Sequence, residues 1–215
     1  SSMAEENVPQ LIISDPAVIF YLIGAWIHPG ERLLVLYLNR NGSHKLLVND
    51  LFRQTRDLGV EIQYYNDTQD GVEILSRIMD ASALVAIDKN WPARFLLRLQ
   101  ELKAASGYVN SSSIVDSVRR IKTPDEQEKM RTASRLNDKV MEKLVKILSE
   151  DHTELELKDI LQKLYTDAGS EGFSFEPITA FAGNAADPHH EPDASRGKFG
   201  DGVVLDIGGL KDNYC

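Results

Sequence analysis

Three groups of residues have the types and spacing that chemistry needs. The first is Asp206, a carboxylate set inside the apolar run Val203-Val204-Leu205-Asp206-Ile207. A charge in a strand core is costly unless it is paired, protonated or bound to a metal. A turn centred on Lys211-Asp212 would set Leu210 opposite Asn213 and Gly209 opposite Tyr214; the same register puts position 217 opposite Asp206. A second carboxylate there would make a cation site of oxygen ligands. The ordinary alternative is an aspartate bonded to the backbone of the nearby turn. The second group is His189-His190, held between Pro188 and Pro192 in the stretch FAGNAADPHHEPD. Two prolines stiffen such a loop, so that one imidazole can face a site while the other points away. A neutral histidine there could donate to a carbonyl or its developing oxyanion, or pass a proton to a leaving group. A plain solvent-exposed polar loop would have the same composition. The third is GAWIHPGERL, where Trp26, His28, Glu31 and Arg32 surround a Pro-Gly turn. It reads either as a lid that contacts a substrate and excludes water or as a surface loop anchored by its aromatic.

Other chemistries lack their signatures. There is no GxSxG, no phosphate-binding P-loop, no HExxH and no CxxC, so covalent serine chemistry, nucleotide phosphate binding and zincin chemistry have no support. A net charge of −9 over 215 residues argues against a nucleic-acid or anionic-membrane surface. The apolar run Ala17–Ile27 is too short to span a bilayer and has no basic segment ahead of it. One cysteine makes no intrachain disulfide, which fits a reducing cytoplasm.

The elements that must position these residues fall into two halves. Short aliphatic or β-branched runs at 11–13, 33–38, 44–48, 60–65, 83–88 and 107–110 read as strands. Segments 49–59, 70–80 and 91–106 between them have apolar residues at helical spacing, with Pro92 in a first turn. The alternation predicts an α/β layer, and the Gly-containing turn between 33–38 and 44–48 predicts a hairpin, hence a mixed sheet. Thr123-Pro124-Asp125-Glu126 is a capping box that should open a long helix from about 124 to 149. A second box, Thr153-Glu154-Leu155-Glu156, opens a helix ending at Gly169. Strands at 176–183 and 203–207 then flank the histidine loop. The expected domains are 1–122 and 123–215.

These stretches, taken in order, resemble the Xaa-Pro peptidases, the prolidases and aminopeptidases P of the creatinase/methionine aminopeptidase superfamily. ISDPAVIFYLIGAW and PGERLLVLYL resemble the creatinase-type N-terminal domain, and VRRIKTPDEQEKMRTASRLND its linker and first catalytic helix. FAGNAADPHHEPD and GDGVVLDIGGLKDNYC resemble the pita-bread catalytic domain. The resemblance implies an α/β creatinase-type domain followed by the beginning of an α+β pita-bread domain, with further chain expected at both ends. It implies metal-dependent hydrolysis of the bond before proline by a pair of divalent ions, Mn²⁺ being the expected metal. Asp206 corresponds to the first of five metal ligands, with the second aspartate eleven residues on. His189 corresponds to the histidine of that loop, a catalytic group beside the substrate and not a metal ligand. His190 stands where many relatives carry glycine, is expected to bind substrate, and is the alternative for the functional histidine. By the same resemblance the protein is a homodimer in which Trp26 and His28 contact substrate in the partner's site. The 215 residues alone are expected to bind metal weakly or not at all and to be inactive. A creatinase-type C–N hydrolase that needs no metal, or a non-catalytic pita-bread binding module, are the alternative readings; Asp206 and the histidine loop favour the peptidase.

Overall fold

The computed structural model describes residues 2–148 and 151–215, which fall into two compact units divided between Ile121 and Lys122. The first runs α1 (Ser2–Glu5), β1 (Gln10–Ile13), α2 (Pro16–Ile23), β2 (Val35–Asn39), β3 (Lys45–Asn49), β4 (Glu61–Tyr65), α3 (Gly71–Ile78), β5 (Leu84–Ile87), α4 (Ala93–Glu101), β6 (Gly107–Asn110) and α5 (Ser112–Arg120). Its strands make one six-stranded mixed sheet in the order β4-β3-β2-β1-β5-β6. The predicted hairpin is β2–β3, antiparallel, with Val35 opposite Leu47. The β1–β5, β5–β6 and β3–β4 pairs are parallel.

Near-continuous apolar strands follow from a sheet buried on both faces. Leu11, Ile13, Leu36, Leu46 and Val48 enter one core, while Ile12, Val35, Tyr37, Leu47 and Val85 enter the other. That is the period-two alternation of a strand with both sides used. Helix α2 starts where Asp15 accepts hydrogen bonds from the N–H groups of Ala17 (2.8 Å) and Val18 (3.2 Å), with Pro16 at its first position. It ends at Gly24, whose φ of 67° is the left-handed cap that only glycine adopts freely.

Two helical expectations are corrected. The segment 49–59 holds only a 3-10 turn at Asp50–Phe52. Asn49 is buried and its side chain accepts from the Leu51 N–H (3.0 Å), which favours a turn over a helix. Phe52 and Leu58 pack on the core while Leu51 is 64% exposed, so the apolar spacing serves a crossover from β3 to parallel β4 and not a helical stripe. Helix α4 stops at Glu101, short of 106, because Lys103 takes a left-handed φ of 52°.

The second unit contains α6 (Pro124–Ile147), α7 (Glu154–Asp167), β7 (Gly172–Phe173), β8 (Ile178–Phe181), β9 (Val203–Asp206) and β10 (Gly209–Leu210). The predicted end of the first helix near 149 lies outside the described residues. Both capping boxes are formed. The Thr123 N–H donates to Glu126 Oε2 at 2.8 Å and the Glu126 N–H to Thr123 Oγ1 at 3.3 Å; Thr153 and Glu156 repeat this at 2.7 and 3.1 Å. Leu136, Val140 and Leu144 of α6 meet Leu157, Leu161 and Tyr165 of α7 in the core of this unit, which Phe181 and Ile207 complete. Thr123→Ala should lower the stability of this unit by about 1 kcal/mol, while Thr123→Ser, which keeps the acceptor, should stay near wild type. Urea unfolding of the two variants checks this.

Candidate functional site

The histidine loop hangs between β8 and β9, an antiparallel pair in which Ile178 faces Asp206 and Phe181 faces Val203. Leu205 and Ile207 point into the core with Phe181. Alternation therefore sends the intervening Asp206 to the other face, where it is exposed. This corrects the expectation of a carboxylate in a strand core: only the Leu205–Ile207 face of the strand packs into the core. The turn beyond it is also corrected. Lys211 pairs with Tyr214, with N–H···O distances of 2.8 and 2.9 Å in the two directions, and the left-handed pair Asp212-Asn213 (φ 51° and 61°) forms the turn. That is one residue later than predicted, so the simple ladder no longer brings position 217 opposite Asp206. The eleven-residue spacing then rests on the resemblance alone.

At the other end of the hairpin the loop is docked on the first turn of α7. The hub is Glu154, whose side chain is wholly buried. Its Oε1 accepts from the Phe181 N–H (2.8 Å) and Asn184 Nδ2 (3.1 Å). Its Oε2 accepts from the Asp193 N–H (3.0 Å) and His190 Nε2 (2.7 Å). The Glu154 carbonyl accepts from Thr179 Oγ1, and the N–H groups of Glu154 and Leu155 donate to the Ser195 and Asp193 carbonyls. An acid in the first turn of a helix is also favoured by the helix dipole. Burial pushes the Glu154 carboxyl up, but the bonds from the Asp193 and Phe181 N–H groups, His190 and Asn184 outweigh it and hold the group below its ordinary value. Its contribution to stability is therefore complete above the ordinary glutamate value of 4.5 and is lost as the pH falls through the lower folded value.

The two histidines part company here. The His190 ring turns inward to Glu154 and its side chain is 14% exposed. His189 is exposed; its backbone N–H donates to Asp187 Oδ1 (2.9 Å), and its ring hydrogen-bonds to nothing among the described residues. The histidine loop leaves the ladder at its Phe181–Val203 end, whereas Asp206 lies at the Ile178 end. In the first unit, Trp26 and His28 come together, the Trp26 indole N–H donating to His28 Nε2 with the rings 5.6 Å apart. Trp26 is 44% exposed and packs edge-on against Phe20. Arg32, by contrast, is engaged by Asp67 through two bonds of 2.8 and 2.7 Å. Glu154 is the functional candidate that sequence reasoning passed over. It was visible only as part of a capping box.

A creatinase-type mixed-sheet domain ahead of two capped helices and a hairpin bearing an aspartate and a histidine loop defines the class. Residues 1–121, more than half of the chain, match the Creatinase/Prolidase N-terminal domain, and the chain belongs to that family; residues 128–215 match Metallopeptidase family M24. An uncharacterized peptidase of Staphylococcus aureus is 28% identical over 213 residues, covering 94% of this chain and 58% of that protein. The crystal structure of a dipeptidase from Pyrococcus horikoshii is 29% identical with a TM-score of 0.83, covering 97% of this chain and 59% of that one. A prolidase from Thermococcus sibiricus shares the fold at a TM-score of 0.88 and 23% identity, again over 97% and 59%. The chain thus spans less than two thirds of the length of these relatives. No helix among the described residues is long and apolar enough to cross a membrane.

The family description implies divalent metal. Among the described residues the one close group of three candidate ligands is Glu154, His190 and Asp193, with atoms within 4.8 Å of one another. It does not fit a cation. A carboxylate has about four lone-pair sites, and all of those on Glu154 are taken by the four donors above. Asp206 is one exposed carboxylate, and one carboxylate does not make the oxygen cage that a pair of divalent ions requires.

Proposed function

We propose that the full-length protein hydrolyses peptide bonds that precede proline, as a dipeptidase or aminopeptidase, in the cytoplasm. The observation that carries this reading is the unbroken order of the two family matches along the chain, 1–121 then 128–215, with Asp206 and the histidine loop both inside the second. The similar structures, a dipeptidase and a prolidase, point the same way. Asp206 is proposed as one ligand of a centre holding two divalent ions, Mn²⁺ the expected metal. His189, exposed on a loop fixed at both ends, suits a donor to the scissile carbonyl as a water adds and the amide C–N bond breaks. The test supplies the full-length protein and Mn²⁺ with Xaa-Pro dipeptides, Xaa-Pro-Yaa tripeptides and their Xaa-Ala counterparts, and measures release of the residue before the cleaved bond. Cleavage confined to the proline peptides supports the proposal; no cleavage, or equal cleavage of the alanine peptides, overturns it.

Trp26 and His28 are proposed to serve substrate from across a homodimer, nearer the partner subunit's Asp206 than their own. An exposed indole bonded to an imidazole offers an apolar face and a polar edge to a peptide. Trp26→Ala with His28→Ala should raise KM about tenfold, the equivalent of ~1.4 kcal/mol of binding, with bound metal unchanged. Steady-state kinetics and sedimentation check this. A fully active monomer, or unchanged kinetics in the double variant, counts against the lid while leaving the peptidase reading intact.

A further inference from the structure

We infer that Glu154 is a positioning residue, a buried carboxylate that clamps the histidine loop and, by turning His190 inward, presents His189 outward. The inference rests on the reading that this loop serves peptide hydrolysis. It is carried by the convergence of four donors, spread along the loop from Phe181 to Asp193, on one side chain. The Phe181 N–H marks the start of the loop, Asn184 its first turn, His190 its apex and the Asp193 N–H its return. Donors from the start, the middle and the end of one loop meet at one carboxylate only if the loop has one conformation.

The turn between the prolines completes the device. The His189 N–H bonds to Asp187 Oδ1 and the His190 N–H to the Asp187 carbonyl at 3.2 Å, so consecutive side chains diverge. With His190 committed to a fully buried acceptor, His189 is left on the outside. No neutral side chain of the same shape can replace Glu154. Glutamine has one acceptor oxygen, so two of the four donors would face its amide hydrogens. The full occupancy of the carboxylate is also what separates this arrangement from a metal site built of the same residues.

The experiment is a double-mutant cycle in the full-length enzyme. Glu154→Gln should lower kcat about tenfold with bound metal unchanged, and should lower it less than twofold when His189 is already alanine. A residue that merely holds the fold would lower kcat equally in both backgrounds, and that result overturns the inference. So does His189→Ala with undiminished kcat. His190→Ala removes one arm of the clamp from a partly exposed position and serves if Glu154→Gln does not fold. It should lower kcat a few-fold, less than His189→Ala does, and again only where His189 is present; the reverse ranking or an equal loss in both backgrounds overturns the clamp. Hydrogen exchange separates this from the function itself. If the wild-type protein cleaves no Xaa-Pro peptide, the functional reading fails. The clamp then stands or falls on whether the Phe181 and Asp193 amides lose at least tenfold protection in Glu154→Gln.

Discussion

Asp206→Asn in the full-length protein should cut kcat/KM by more than about a hundredfold and lower the bound metal, while changing stability by no more than ~0.5 kcal/mol. The two halves of this expectation come from one geometric fact. Asp206 ends β9 on the face turned away from the core that Leu205 and Ile207 enter, and it is exposed. Asparagine has the same shape, keeps the backbone pairing opposite Ile178 and leaves no buried group without a partner. A carboxylate that the fold can lose at little cost, in an otherwise apolar strand, fits an oxygen donor kept for a cation. Metal analysis of the purified variant, its kinetics and a urea melt measure all three quantities. Near-normal turnover would sink the assignment of Asp206, and a large loss of stability would show that the side chain supports the fold and not the chemistry.

What could be read from the sequence was mainly local. The Thr-x-x-Glu boxes at 123 and 153 name their own hydrogen bonds, because both partners lie within one turn. The alternating strand and helix signals predict the α/β layer because each strand carries its own apolar run, and the Gly-containing turn after 33–38 predicts the hairpin that makes the sheet mixed. Helix α5 at Ser112–Arg120 went unread, since its two buried residues, Ile114 and Val115, are adjacent and make a weak stripe. The 49–59 segment misled for the converse reason: Leu51 has helical spacing but no core to face. In the turn Lys211–Tyr214, Asp-Asn is the pair able to hold two left-handed residues in succession, a cue that places the turn correctly once it is weighted above strand symmetry. Glu154 was illegible in a deeper sense. An acid in a first helical turn is an ordinary dipole partner, and what buries it is a loop about 27 to 39 residues further along the chain.

Gly209→Ala should destabilise the Lys122–Cys215 unit by about 1–3 kcal/mol, through crowding alone. The backbone of Gly209 is not in the left-handed region, so an alanine there meets no conformational penalty of its own. Its Cβ, however, would fall inside the contact radius of Tyr165 Cε1 and lie 2.8 Å from Cδ1. Tyr165 cannot step aside. Its ring is fully buried, its hydroxyl donates to Asn137 Oδ1, and Phe173 packs edge-on against it with centroids 5.7 Å apart. The same burial pushes its phenol up to about 12. Strand β10 must yield instead, and it is held to β7 by the pairing of Gly209 with Phe173 and Leu210 with Gly172. Gly208, next to it, makes a useful contrast, because part of what its Cβ would meet is Phe175, a ring 44% exposed and free to move outward. Urea unfolding should therefore show Gly209→Ala with Tyr165→Leu to be less destabilising than the two single changes added together, since the smaller side chain relieves the clash. Strict additivity would show that Tyr165 is not the obstacle, and a Gly209→Ala variant within ~0.5 kcal/mol of wild type would show that there is none. Because Gly209 follows Asp206 by three residues, any shift of β10 also moves the end of β9, so the variant should lose activity in the full-length protein even where it remains folded.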